Sequence, residues 1–302
     1  MIFVSGSIAY DTIISTLGKF ASNTRGVDSP YNLSLYAPRV RVASGGTGHN
    51  IAYNLGLLGL KEQTVLAGAV GHDFVHDPRL SASVDYRHVL VDDTALTAHA
   101  YMINDDENTQ IIVFHPGAMA SGLHTIPDQH YRYAIITPND KTIMIAHTHA
   151  VRQSWAIVFF DPGQALWLFS KEDLVWLVSS IDYLICNEPE SESIARLFDV
   201  SVDMLSTIFA NVIVTRGWDG IDLRASSGEK HHIESVKVDA VVDPTGAGDA
   251  FRGAMLYALM QWKSLEQALA YGSVMGACAV QQQGTMEHVM SAEELEERVR
   301  SL

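Results

Sequence analysis

The amino-acid sequence predicts an α/β domain built on a mainly parallel sheet, and three observations support this prediction. Between residues 134 and 215, short apolar runs alternate with segments of helical periodicity, a pattern typical of β–α–β units. The C-terminal third consists mostly of segments with helical periodicity. Residues 9–42 and 86–115 lack that periodicity, which predicts a patch of β-structure inserted into the domain.

In the N-terminal half, the pattern predicts one helix among several strands. The helix follows the glycine-rich run 45–48, buries Ile51, Leu55 and Leu58 on one face, and ends at Gly59. A polar hairpin loop is predicted at 104–108. The predicted strands and extended segments are 2–8, 12–15, 33–42, 64–70, 87–91, 98–103 and 110–114.

In the C-terminal half, strands and helices are predicted in alternation, and no repeat or linker interrupts them. Residues 1–302 are therefore predicted to form a single domain. The β-branched residues Val238, Val241 and Val242 predict the end of a strand. The other predicted strands are 134–137, 142–145, 156–160, 183–186 and 212–215, and the predicted helices are 170–179, 188–198, 246–261, 264–282 and one from Ser291.

Composition limits the partners that the protein can have. A net charge of −15 argues against nucleic acid or an anionic membrane surface as the main partner. The longest apolar run, 254–260, is too short to span a bilayer, and the N-terminus shows no signal peptide. The two cysteines, Cys186 and Cys278, are expected to be buried free thiols. We expect a cytoplasmic protein.

The most informative segment for function is 243–251, Asp-Pro-Thr-Gly-Ala-Gly-Asp-Ala-Phe. Its glycines allow a tight turn, and a helix N-terminus directly after the turn leaves backbone N–H groups that suit a phosphate. Asp249 lies in the first helical turn, so a carboxylate stands beside a predicted anion hole. Transfer of phosphate to a hydroxyl needs this combination. The P-loop and the dinucleotide-binding fingerprint are both excluded because their required residues are missing.

Together with the glycine-rich stretch 45–59, this segment resembles the ribokinase-like (PfkB) family of carbohydrate and nucleoside kinases. The resemblance implies a three-layer αβα fold with a mainly parallel central sheet and a small β-sheet lid. The lid segments would be approximately 10–16, 31–43 and 97–115. Further stretches that follow the family's order are Gly6 with Asp11, 68–74, 187–190 and 215–220.

The resemblance also implies roles for the phosphate-handling residues. Asp249 matches the catalytic base that takes the proton of the acceptor hydroxyl. Asn187 and Glu190 match a motif that helps to hold Mg²⁺, with Glu190 acting indirectly; both could instead only start a helix. The residues that match the anion hole are Gly246, Ala247 and Gly248.

ATP is the implied phosphate donor, and a monovalent cation such as K⁺ is a candidate further cofactor on which the sequence itself is silent. Thr215, Gly217 and Gly220 match residues beside the nucleotide. Arg216 is a candidate cation to offset the acidic charge of the chain, although it could be only a surface charge.

On the acceptor side, Asp11, Gly45, Gly46 and Asn50 match residues that grip ribose-type hydroxyls, although Asp11 could be only a turn former. Phe114 is a candidate wall for a nucleobase, or equally a lid residue that packs on the core.

The stretches 114–119 and 159–166 are similar to the bacterial adenosine-kinase-type branch of the family. The predicted activity is therefore ATP-dependent phosphorylation of the 5′-hydroxymethyl group of adenosine or a related purine nucleoside. The alternative is a kinase for a free sugar such as ribose or fructose. A non-catalytic nucleoside sensor and a dehydrogenase are disfavoured, and a homodimer through the lid is expected. One departure is His76, which stands where the family has glycine.

Overall fold

The computed structural model describes residues 1–20, 34–107, 109–122 and 126–302. The strands are β1 (Ile2–Ser5), β2 (Ala9–Ser15), β3 (Arg39–Gly45), β4 (Thr64–Ala67), β5 (Ala69–Gly71), β6 (Leu90–Asp92), β7 (Ala98–Asn104), β8 (Gln110–His115), β9 (Tyr133–Ile136), β10 (Ile157–Phe160), β11 (Tyr183–Asn187), β12 (Asn211–Thr215), β13 (Ile221–Ala225) and β14 (Lys230–Ile233). The helices are α1 (Thr47–Leu57), α2 (Pro78–Ser81), α3 (Lys141–Gln153), α4 (Lys171–Leu177), α5 (Glu188–Phe198), α6 (Ser206–Phe209), α7 (Ala247–Met260), α8 (Leu265–Ala279) and α9 (Ala292–Arg300).

The central sheet has eight strands in the order β14-β13-β12-β11-β10-β9-β1-β4. The pairs from β12 to β4 are parallel, and the antiparallel β13 and β14 extend one edge. Helices α1, α7, α8 and α9 bury apolar side chains against one face, and α3 to α6 bury theirs against the other. This arrangement confirms the predicted α/β class with three αβα layers. Because parallel strands present their carboxyl ends at one edge, the loops that follow β1, β10, β11 and β12 meet there.

A separate four-stranded sheet has the order β3-β2-β7-β8. Strand β2 pairs antiparallel with β3 and parallel with β7, and β7 pairs antiparallel with β8. Its strands overlap the predicted lid segments, but β2 begins one residue before the first and β3 ends two residues after the second. Residues 31–33 of the second segment lie outside the described residues, and a lid function stays a prediction. Within the described residues, no helix has the length and apolar character needed to cross a bilayer.

Two predicted strands were wrong. Residues 142–145 begin α3, because Asp140 caps that helix by accepting from the N–H groups of Thr142 and Ile143. A short apolar run does not distinguish strand from helix, so the capping aspartate was the better signal. Residues 238–242 form no strand; the N–H groups of Val242 and Asp243 donate to the carbonyl of Val280 after α8.

Candidate active site

The loop of the 243–251 motif is held rigidly where it enters α7. Asp243 accepts from the N–H of Thr245 at 2.9 Å and from the N–H of Gly284 at 3.0 Å. Gly246 precedes the first residue of α7 at φ +78°, a left-handed conformation that other residues rarely adopt. The N–H of Ala247 donates back to the carbonyl of Pro244 at 3.3 Å. The next N–H groups of the first turn of α7 lack intrahelical partners, as an anion hole requires.

The predicted base and a predicted acceptor-binding residue meet directly. Asn50 on α1 donates from Nδ2 to Oδ2 of Asp249 on α7 at 2.7 Å, although 199 positions separate them. Asn50 is buried, and among the described residues its Oδ1 has no hydrogen-bond partner. The amide therefore fixes the carboxylate and leaves one acceptor atom for a ligand.

Asp11, Gly45 and Gly46 lie together where the small sheet joins the central one. Asp11 on β2 pairs with β3, and a side chain at Gly45 would come within 2.2 Å of Asp11 Oδ2. Gly46 has φ +95°, and a Cβ there would come within 2.5 Å of the carbonyl oxygen of Ser7. Gly45 therefore leaves room for the Asp11 carboxylate, and Gly46 lets the chain pass close to the backbone of Ser7.

Burial changes the acidity of both carboxyl groups in the site. Loss of solvent raises the pKa of Asp249 to about 6, although Arg252 and the hydrogen bond from Asn50 oppose this rise. Burial also raises the pKa of Asp11 to about 6, with a smaller contribution from Asp243. Each group is thus charged at neutral pH but close to its protonation range.

These pKa values predict opposite effects of pH on activity and stability. We expect kcat/KM to rise with pH through about 6 as Asp249 and Asp11 ionise. The folded chain keeps these protons up to about pH 6, whereas unfolded aspartates lose them near pH 4. This contribution to the free energy of unfolding should therefore fall as pH rises from about 4 to about 6. Kinetics between about pH 5 and 8, with urea unfolding at each pH, check this prediction; a flat kcat/KM profile would contradict it.

A cavity of about 310 Å³ opens beside the anion hole. It brings together predicted nucleotide-binding residues with two residues of the predicted anion hole. These are Thr215, Gly217, Gly220, Ala247 and Gly248. Valine side chains and Phe251 supply apolar walls, so the cavity suits a flat, largely apolar ring next to a phosphate chain.

Asn187 and Glu190 form a reciprocal capping box at the start of α5. Glu190 N–H donates to Asn187 Oδ1 and Asn187 N–H donates to Glu190 Oε2, each at 2.8 Å. This is the helix-start chemistry that the sequence left open, but burial and Asp161 also raise the pKa of Glu190. Among the described residues, no group of three or more His, Cys, Asp or Glu could hold a metal directly. The arrangement fits Mg²⁺ held through water and phosphate, with Glu190 as an indirect partner.

Arg216 and Phe114 lie at the margins of the site. Arg216 forms ion pairs with Glu188 and with Asp222, so its charge is already largely compensated. Phe114 on β8 is 48% exposed. His76, which stands where the family has glycine, packs against two aromatic rings. Its ring stands edge-on to Phe74 and Tyr86, with ring centroids 5.1 and 5.0 Å away.

A profile of the pfkB family of carbohydrate kinases matches residues 4–292. The chain belongs to the pfkB family. Members of the pfkB family transfer phosphate from ATP to a hydroxyl group, and this chain is an ATP-dependent phosphotransferase of that kind.

Two nucleoside kinases are among the relatives of this pfkB protein. The structure of one from Burkholderia thailandensis in complex with inosine is 31% identical, has a TM-score of 0.85, and covers 100% of this chain and 97% of that chain. One from Methanocaldococcus jannaschii is 26% identical over 282 residues, which cover 89% of each chain.

An ATP-dependent ribose-1-phosphate kinase from Halopiger xanaduensis is a further relative of this pfkB protein. It is 28% identical over 254 residues, which cover 81% of this chain and 82% of that protein. The family therefore includes relatives named for acceptors with and without a base.

Sequence reasoning about the pfkB motif missed two charged residues beside it. Arg252 lies on α7 one turn after Asp249, and Asp161 directly follows β10; both are buried. Their atoms Arg252 Nε and Asp161 Oδ2 are 2.5 Å apart. The spacing of three between Asp249 and Arg252 places them on one helix face and was a usable signal. Nothing local to Asp161 showed its partner.

Proposed function

We propose that this protein is an ATP-dependent nucleoside kinase that phosphorylates the 5′-hydroxyl of a purine nucleoside such as adenosine or inosine. The observation that carries the proposal is the hydrogen bond between Asn50 and Asp249. It joins the acceptor side of the site to a carboxylate at the helix N-terminus, next to the cavity. The inosine complex of the Burkholderia thailandensis relative supports a nucleoside as acceptor.

In the proposed reaction, Asp249 orients the 5′-hydroxyl and takes its proton as the oxygen attacks the γ-phosphate of ATP. The bond from the γ-phosphorus to the β–γ bridging oxygen breaks, and ADP leaves. The N–H groups at the start of α7 stabilise the charge on the transferring group, since they are fixed before the reaction begins. Asp11 accepts hydrogen bonds from ribose hydroxyls. Asn50 holds Asp249 in place.

We place the ATP base in the 310 Å³ cavity and its phosphates along Thr215, Gly217 and Gly248. Asn187 and Glu190 would help to hold Mg²⁺ through water, and the metal would neutralise charge on the phosphates. Activation by K⁺ remains a prediction, which assays with potassium replaced by tetramethylammonium would check.

The small sheet supports Phe114 as the base-binding wall. Asp11 pairs with Ala100, and Ala100 pairs with Phe114, so Asp11 and Phe114 lie on the same sheet face two strands apart. A ribose held by Asp11 would therefore leave its base on the side of Phe114. We propose that this sheet closes over the acceptor as a lid and excludes water.

Phe114→Ala is expected to raise KM for nucleosides about tenfold and to leave KM for free sugars unchanged, because only a nucleoside has a base to contact the ring. Val113→Ala is the matched control, since Val113 is similarly exposed but points to the opposite face. Steady-state kinetics with inosine and ribose measure both variants. An equal KM for inosine in the two variants would contradict the proposed contact between Phe114 and the nucleobase.

Phosphate transfer to adenosine, inosine, ribose and fructose, measured side by side, tests the proposed function. We expect turnover with a purine nucleoside at least tenfold above any free sugar. Activity confined to free sugars would overturn the nucleoside proposal and favour the sugar-kinase alternative.

We also propose a homodimer through the outer face of the small sheet. That face carries exposed apolar side chains, and β3 and β8 are open edges. These side chains are Val40, Val42, Ile111 and Val113. Sedimentation at several concentrations would reveal the dimer. A cytoplasmic location, consistent with the free thiols of Cys186 and Cys278, remains part of the proposal.

A further inference from the structure

One cation lies buried beneath the anion hole. Arg252 is 7% exposed and Asp161 is 1% exposed, and their 2.5 Å ion pair joins α7 to the carboxyl end of β10. The pair thus crosses from the helix that carries Asp249 to the central sheet. The contact is an ion pair without hydrogen-bond geometry at Nε. Removing either Asp161 or Arg252 would leave an uncompensated buried charge.

The guanidinium also touches the backbone of the anion hole. A Cβ built at Gly248 would lie 2.6 Å from Nη1 of Arg252. Gly248 has a negative φ, so the nearby guanidinium, and not a backbone conformation, is what excludes a side chain there. The positive charge therefore lies beside Gly248, in the first turn of α7.

Arg252 offsets the negative charge of several carboxyl groups around it. Asp249, Asp161 and Glu190 are three carboxyl groups close enough to interact with the one guanidinium. Arg252 lowers the pKa of Asp249, whereas Asp161 raises it. Arg216 does not offer the same help, because its side chain is partly exposed and water screens its charge, whereas Arg252 is buried.

We infer that Asp161 and Arg252 form a positioning pair for phosphoryl transfer. Asp161 anchors the guanidinium, and the guanidinium fixes a positive charge behind Gly248 and beside Asp249. Arg252 acts through these two residues without touching the acceptor. The inference rests on the proposed phosphoryl transfer, but it does not depend on which acceptor receives the phosphate.

Three variants separate this role from a structural one: Arg252→Met, Asp161→Asn and the double variant. Arg252→Met is expected to lower kcat about thirtyfold and to change acceptor KM less than about threefold. Each single change leaves one buried charge unpaired, so the melting temperature falls in both. The double variant removes both charges, and we expect it to regain the melting temperature but not kcat.

The acceptor with the highest turnover in wild type is used for these assays. Recovery of kcat in the double variant, or a kcat within about threefold of wild type in Arg252→Met, would show a structural role and overturn the inference. Arg252→Lys, which keeps a charge, should recover part of kcat. Arg152→Met is the control, because Arg152 pairs with Asp182 at 3.0 Å on the opposite face of the sheet; kcat should not change.

Affinity for nucleotides gives a readout that needs no acceptor. Calorimetry with Mg²⁺ measures the Kd of ADP and of a non-hydrolysable ATP analogue. Arg252→Met should weaken binding of the analogue about tenfold more than binding of ADP, because only the analogue places a γ-phosphate in the anion hole. Equal weakening would overturn the inference. If wild type transfers phosphate to none of the four acceptors, the proposed function fails. The inference is then decided by the calorimetry alone, that is, by whether Arg252→Met weakens binding of the analogue more than binding of ADP.

Discussion

Asp249→Asn is expected to lower kcat by about two orders of magnitude or more while ATP binds with nearly normal affinity. An amide cannot take the proton of the acceptor hydroxyl. Its carbonyl oxygen can still accept the hydrogen bond from Asn50 Nδ2, so the contact between α1 and α7 remains. The loss therefore reports on proton transfer, with little effect on folding.

Rapid-quench kinetics and nucleotide calorimetry would measure the two effects separately. Asp173→Asn is the matched control, because Asp173 also lies in the first turn of a helix, α4, where it completes a capping box. That variant should keep the kcat of the wild type. Near-normal turnover in Asp249→Asn would remove Asp249 as the base.

Gly46→Ala is expected to destabilise the fold by about 3 kcal/mol or more. Two costs add at this position. An alanine at φ +95° is strained, and its Cβ would collide with the backbone around Ser7, which cannot rotate away. The same displacement would shift the start of α1, which carries Asn50, so acceptor KM should rise as well.

Gly59→Ala separates these two costs. Gly46 precedes α1, and Gly59 follows that helix at φ +82°. A Cβ at Gly59 has no atom within 4 Å. It should destabilise by about 1 kcal/mol, from backbone strain alone. Urea unfolding of both variants gives the comparison. Equal free energies of unfolding would show that the close packing at Gly46 contributes nothing.

The sequence predicted the fold class well because the patterns that mark strands and helices each lie within a short stretch of the chain. Apolar runs and helical periodicity mark the parallel strands and their crossover helices, and the glycines at 246 and 248 mark the start of α7. The segment 142–145 was misassigned for the same reason, since a run of three apolar residues, Ile143 to Ile145, looks alike in a strand and a buried helix. The cap at Asp140 would have decided it.

The site was predictable only where a motif carries it within a few residues. Asp249 and its glycines are adjacent in sequence, and the family resemblance supplied Asn50 and Asp11. The partnership of Asp161 with Arg252 depends on how α7 packs over β10. Periodicity does not encode which charges meet across layers, so this pair needed coordinates.

The hydrogen bond from Asn50 to Asp249 has a consequence for biosynthesis. When the ribosome has synthesised the first 240 residues, the chain already contains Asp11, the proposed acceptor-binding carboxylate, and the strands of the central sheet. Helix α7 has not yet been synthesised, so the proposed base and the proposed anion hole do not yet exist. The nascent chain therefore cannot hydrolyse ATP before the residues of its proposed acceptor site have been made, since Asp249 is synthesised after them.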